Sequence, residues 1–168
     1  MRRRKTFLKT AIPFIFIFFL GCQPESRSTE SLFREYFTVS VPPNVVPRAG
    51  VAAANVEQQA FRLLEEGNYE QAALLFSELS VRQRSSGYML YRGMALLAEQ
   101  RSQAARASLQ QVRPEAPEHP TALWYTALAW LQEGKADSAA TVLRQLIQDS
   151  GPASSLLDTQ AQQLLDQL

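Results

Sequence analysis

The sequence of 168 residues predicts an all-α fold, a solenoid of about three helical hairpins closed by a capping helix, and two observations carry that reading. The first is register. Small residues recur at Ala60, Gly93, Ala127 and Ala161, in steps of 33, 34 and 34. Ala72, Ala105 and Ala139 keep the same steps, as do the large apolar residues Phe76, Leu109 and Leu143. A period of this length, with small side chains where two helices must touch, marks stacked hairpins that cannot bury their apolar faces alone. The second is local spacing. Phe61, Leu63 and Leu64, and then Ala72, Leu75, Phe76 and Leu79, follow the three-and-four pattern of amphipathic helices and suit no strand.

In chain order, the first element is a basic stretch with Arg2, Arg3, Arg4, Lys5 and Lys9, followed by an apolar run from Ala11 to Leu20 that ends at Gly21-Cys22. A membrane-spanning helix needs ~20 apolar residues, so this shorter run reads as an export signal over residues 1–21. Its ending resembles the lipobox of bacterial lipoproteins, which implies that Cys22, the only cysteine, is acylated and becomes the new N-terminus. The alternative is an uncleaved signal anchor with an incidental cysteine. Acyl chains, at ~0.8 kcal/mol per buried CH₂, would tether the protein to a membrane without a spanning helix.

Residues 22–52 form a tether and an apolar N-terminal segment. Gln23 to Ser31 is polar and reads as solvated chain. Leu32-Phe33-Arg34-Glu35-Tyr36-Phe37 and the stretch from Thr38 to Pro47 carry more apolar side chains than a free linker tolerates. This piece is expected to dock, either on the first hairpin or in the groove of its own solenoid, with recognition of a partner as the alternative.

Residues 53–168 hold the repeats, at about 53–85, 86–119 and 120–153, with the capping helix at 154–168. Gly67 and Gly134 stand where the chain leaves one helix and reverses, and Gln100 takes that place in the second unit. Pro114, Pro117 and Pro120 interrupt any helix between the second and third hairpins. The last segment has a first helix and no second, with Asp158, Gln162, Gln163 and Asp166 as its expected polar outer side. Gly67-Asn68-Tyr69 followed by Ala72, Phe76 and Leu79, and Gly134, Ala136, Ala139, Leu143 and Leu146, resemble the second-helix signature of the tetratricopeptide repeat. First helices align through Val56, Met89, Leu123 and Leu157, and again through Leu63, Leu96, Trp130 and Leu164. That resemblance implies a right-handed solenoid whose first helices line an inner wall.

Projected onto that wall, the expected peptide-binding groove is Glu57, Phe61, Tyr91, Met94, Trp124, Tyr125 and Leu128. It is apolar and aromatic, suited to an amphipathic helix or an extended apolar peptide. Leu64, Leu97 and Leu131 are expected in the core, whereas Tyr91, Trp124 and Tyr125 combine a ring with a polar tip, the usual composition of interface anchors. Charge is uneven. Residues 82–113 carry Arg82, Arg84, Arg92, Arg101, Arg106 and Arg113 against Glu99, while residues 53–81 carry Glu57, Glu65, Glu66, Glu70 and Glu78 against Arg62. Beyond the signal the chain is net acidic, which disfavours nucleic acid as a partner.

No catalytic site, metal site or cofactor is expected. His119 is the only histidine, no thiol besides Cys22 exists, and no glycine-rich phosphate loop appears. The expected function is therefore a membrane-anchored interaction adaptor in the bacterial cell envelope. Gln23 after the cysteine resembles outer-membrane sorting of lipoproteins, facing the periplasm. The alternatives are an accessory factor in outer-membrane protein assembly or secretion and an envelope enzyme such as a peptidoglycan hydrolase, for which no acid and base pair is found. Self-association through the first unit is a further expectation.

Overall fold

The computed structural model describes residues 27–39, 51–149 and 155–168; the expected signal and Cys22 lie outside them. The described residues form eight helices: α1 (Thr29–Tyr36), α2 (Val51–Glu65), α3 (Tyr69–Arg82), α4 (Tyr88–Ala98), α5 (Ser102–Leu109), α6 (His119–Gln132), α7 (Ala136–Asp149) and α8 (Leu156–Leu165). Helices α2 with α3, α4 with α5, and α6 with α7 pack as hairpins; α3 also packs on α4, α5 on α6 and α7 on α8. Direct contacts of α4 with α6, and of α6 with α8, place these first helices in one layer. This is the all-α solenoid that the periodicity predicts.

Reversal within each hairpin uses one device three times. Gly67 and Gly134 adopt φ of +79° and +76°, and Gln100 adopts +58°. At each site the residue's N–H reaches back to a carbonyl three positions earlier, on Leu64, Leu97 and Leu131. The next N–H, on Asn68, Arg101 and Lys135, bonds to Leu63, Leu96 and Trp130. These pairs satisfy carbonyls left open at the helix end, and they require the left-handed conformation that glycine adopts without cost. Arg84, which stands 33 residues before Pro117 and so at the equivalent place one unit earlier, also adopts positive φ, +50°. Proline's ring forbids that value.

Small side chains occupy the helix contacts. Ala60, Ala127 and Ala161 in first helices and Ala72, Ala105 and Ala139 in second helices are fully buried, as are Phe76 and Leu143, with Leu109 nearly so. Gly93 shows why the row is small. A methyl group built on it would lie 2.6 Å from Leu109 Cγ and Cδ2 and 3.4 Å from the Ala105 carbonyl oxygen. The neighbouring helix is therefore within backbone contact.

The second and third hairpins are joined by a charged clasp. Arg106 lies 3.5 Å over the Trp130 ring, and Lys135 lies 4.8 Å from it. Arg106 Nη2 and Lys135 Nζ pair with Glu133 at 2.7 and 2.9 Å. Burial works against the Glu133 carboxylate, but hydrogen bonds and charge from Lys135 and Arg106 outweigh it and hold the group below its ordinary pKa. The basic run of the second unit is thus answered in part within the molecule.

Asp158 departs from its expected place on the outer side of the cap. It is buried, because it closes a capping box: Ser155 N–H donates to Asp158 Oδ2 at 2.6 Å, and Asp158 N–H donates to Ser155 Oγ at 3.2 Å. Gln162, Gln163 and Asp166 are exposed, as expected.

Two substitutions test this scaffold by thermal unfolding. Gln100→Gly relieves a strained φ and should raise stability by about 1 kcal/mol, or about 2–4 °C in Tm. Gly93→Ala should lower stability by about 1–2 kcal/mol, since crowding against Leu109 exceeds the gain of roughly 1 kcal/mol in helix propensity.

Candidate functional site

The expected wall residues divide into two groups once placed. Glu57 is only 4 % exposed and accepts a hydrogen bond from the Tyr88 hydroxyl at 2.9 Å, tying α2 to the start of α4. Phe61 is buried and stands edge-on to Phe76 and Tyr91, at centroid distances of 5.0 and 4.7 Å. Met94 and Leu128 are buried in the core with Leu64, Leu97 and Leu131. These four expected groove residues hold helices together. Tyr91 remains half-buried at the edge of the aromatic cluster.

Trp124 and Tyr125 are 6 % and 4 % exposed for a different reason: the chain's own N-terminal segment covers them. Helix α1 packs on α6. Tyr36 stands edge-on to Trp124 at 5.9 Å, and Phe37 edge-on to Tyr125 at 6.2 Å. Phe33 stacks on Phe37 at 4.9 Å, and Leu32 is fully buried. Where α1 ends, the chain becomes extended, and the Tyr125 hydroxyl donates to the Thr38 carbonyl oxygen at 2.6 Å. Burial pushes the Tyr125 phenol up to about 12. It therefore remains a neutral donor at any ordinary pH.

The direction of the segment follows from its ends. Thr29 lies beside Gly134, at the C-terminal end of α6, while Thr38 lies against Tyr125, nearer its start. Helix α1 thus runs antiparallel to α6. After α8, Gln167 closes the far side: its Nε2 donates to the Tyr36 hydroxyl at 2.8 Å, and its Oε1 accepts from Arg27 Nη1 at 3.1 Å. Of the two intramolecular destinations expected for residues 32–47, the segment takes the wall of the solenoid rather than the first hairpin, as far as Val39; residues 40–47 lie outside the described residues.

Leu32, Tyr36, Phe37, Thr38 and Gln167 complete the site; sequence offers the groove as one of two intramolecular destinations for residues 32–47, but not the individual contacts, and it gives no role to Gln167. The apolar excess in residues 32–37 signals docking, but the repeat register says nothing about a segment that precedes the repeats. Among the described residues no cluster of His, Cys, Asp and Glu is able to hold a metal ion. None of the described helices is long and apolar enough to cross a membrane. His119 opens α6 with its Nδ1 buried and unpaired.

The tetratricopeptide repeat model matches residues 58–117 and 92–155. In fold the chain is similar to the type III secretion translocator chaperone SycD of Yersinia enterocolitica, at 21% identity over 70% of this chain and 83% of that one, with a TM-score of 0.61. It is likewise similar to the same chaperone in complex with a peptide of the translocator YopD, at 21% identity over 73% of this chain and 95% of that one, with a TM-score of 0.62. No protein with a curated description matches. The two overlapping repeat matches run through all three hairpins and cover more than half of the sequence, so the chain belongs to the tetratricopeptide repeat family.

Proposed function

We propose that this protein is an interaction adaptor of the bacterial cell envelope. It takes a peptide segment of a protein partner on the wall formed by its first helices, and it is held at the outer membrane, facing the periplasm, through a lipid on Cys22. The observation that carries the peptide-binding part is the treatment of residues 27–39. Rings on α6 receive aromatic side chains edge-on, and a buried hydroxyl receives a main-chain carbonyl. Side-chain pockets combined with a main-chain hydrogen bond are how grooves hold peptides. The anchor rests on the basic and apolar leader ending at Gly21-Cys22.

A second reading, an accessory role in protein secretion or outer-membrane assembly, is favoured by the fold shared with a secretion chaperone whose structure contains a translocator peptide. It differs from the first in the partner alone. Enzymatic function has no support from the described residues. The wall's rings and aliphatic groups offer no acid and base pair for hydrolysis.

Affinity capture from an envelope extract tests the wall. The wild-type chain should enrich a distinct protein, and Tyr91→Ala combined with Trp124→Ala should reduce its recovery at least about tenfold, as loss of two aromatic anchors at ~1–2 kcal/mol each would give; unchanged recovery rejects the groove. For the anchor, Cys22→Ser should abolish incorporation of a fatty-acid label and move the protein out of the membrane pellet. A variant that stays in the pellet without label would point to an uncleaved signal anchor.

A further inference from the structure

We infer that residues 27–39 are a resident ligand of the α6 wall, and that the partner segment which replaces them is an amphipathic helix turning into extended chain at a pair of aromatic residues. The inference rests on the peptide-binding reading and adds the chemistry of the ligand and the competitor it meets.

The segment stands outside the repeat architecture. It precedes the first hairpin, yet it crosses to the third, where Thr38 meets Tyr125 87 positions further along the chain. Its contacts resemble those of a bound peptide: one buried aliphatic residue, two rings set edge-on, one main-chain carbonyl, and a clamp from Gln167 on the far side. Its other face is polar and answered from within. Arg34 pairs with Glu30 at 2.6 Å and Arg27 with Glu35 at 2.7 Å, all well exposed.

Helix α1 has only eight residues. Isolated helices shorter than ~12–15 residues are marginal in water. Ser28 caps its start, accepting from the Ser31 N–H at 3.2 Å, but a cap is worth only ~1 kcal/mol. The helix therefore depends on the wall for its order, and leaving the wall bares Leu32 and the rings of Trp124 and Tyr125, surface that an apolar partner segment would cover again. Leu32 is the one residue of the segment that enters the core cluster, whereas each repeat helix contributes more than one. Residues 40–50 join the segment covalently to α2, which makes its binding to the wall intramolecular and gives it an effective concentration there. A partner in trans must compete with that concentration.

The wall specifies what competes. An aliphatic residue corresponds to Leu32, aromatic residues four and five positions later correspond to Tyr36 and Phe37, and helical geometry ends there so that a carbonyl reaches Tyr125.

The test uses the full chain in detergent micelles and a fluorescein-labelled synthetic peptide with the sequence of residues 27–39, followed by fluorescence anisotropy. Leu32→Asp with Phe37→Ala in the chain should weaken the resident segment and raise affinity for the labelled peptide at least about tenfold over wild type. The same two changes in the peptide should abolish binding, and adding Tyr125→Ala to the weakened chain should reduce it. Equal binding by wild-type and weakened chains overturns the inference, as does absence of binding by a weakened chain that still melts cooperatively. Should the weakened chain fail to fold, a protease site placed within residues 40–50 keeps the question decidable. Exchange of the cut segment for the labelled peptide supports the inference; collapse of the solenoid when the segment leaves, or a dimer that swaps segments and admits no peptide, overturns it. If exchange occurs but envelope capture fails, only the adaptor reading falls. If capture succeeds and exchange fails, only the resident-ligand inference falls.

Discussion

The close approach of neighbouring helices is the constraint on which this molecule rests. Where α4 meets α5, a methyl group on Gly93 would run into the Leu109 side chain, and the equivalent first-helix and second-helix positions, Ala60, Ala127, Ala72 and Ala139, are small and fully buried. Close approach brings Phe76, Leu109 and Leu143 into full burial and aligns the first helices as one layer. A larger residue in any of these rows would separate a hairpin and, through it, both neighbours. In a linear stack each unit is stabilised only by those beside it, so an error at one joint is not absorbed elsewhere.

From that layer follows the character of the wall. Side chains facing the hairpin partner are consumed in packing, which is where Phe61, Met94 and Leu128 go. Glu57 is consumed differently, as the acceptor for Tyr88 at the joint between the first two hairpins. What remains accessible to a second chain is a short aromatic surface on α6. It is filled by a segment whose rings fit the rings beneath, in edge-on contacts that are worth ~0.5–1.5 kcal/mol each beyond burial of area.

Sequence carried the scaffold further than the site. The rows at Ala60 and Ala72, the reversals at Gly67 and Gly134 and the proline interruption before α6 are legible because they follow from helix geometry and from two residues with unusual backbones. Even the substitution of Gln100 for glycine leaves the hydrogen-bond pattern of the turn unchanged. Legibility fails where side chains choose between destinations. Asp158 reads as an outward polar residue, but a carboxylate three positions after a serine cap finds a main-chain donor that solvent does not match. Trp124 and Tyr125 are singled out by the repeat register, whereas the residues that cover them, Tyr36 and Phe37, lie 88 positions earlier and leave no periodic trace. Arg106 over Trp130 is similar: each residue is visible as a type, and only three-dimensional proximity makes them a clasp.

The antiparallel seating of α1 on α6 bears on distance. Thr29 lies seven positions after Cys22, so a lipid at that cysteine would keep the first residue of the seated helix within roughly 25 Å of the bilayer surface, the span of seven fully extended residues. Unseated, the chain from Cys22 to Val51 becomes available as leash, with a contour of roughly 100 Å. With a lipid at Cys22, seating and unseating of one short helix would therefore set how far from the bilayer the solenoid can reach, and occupancy of the wall and radius of action would change together.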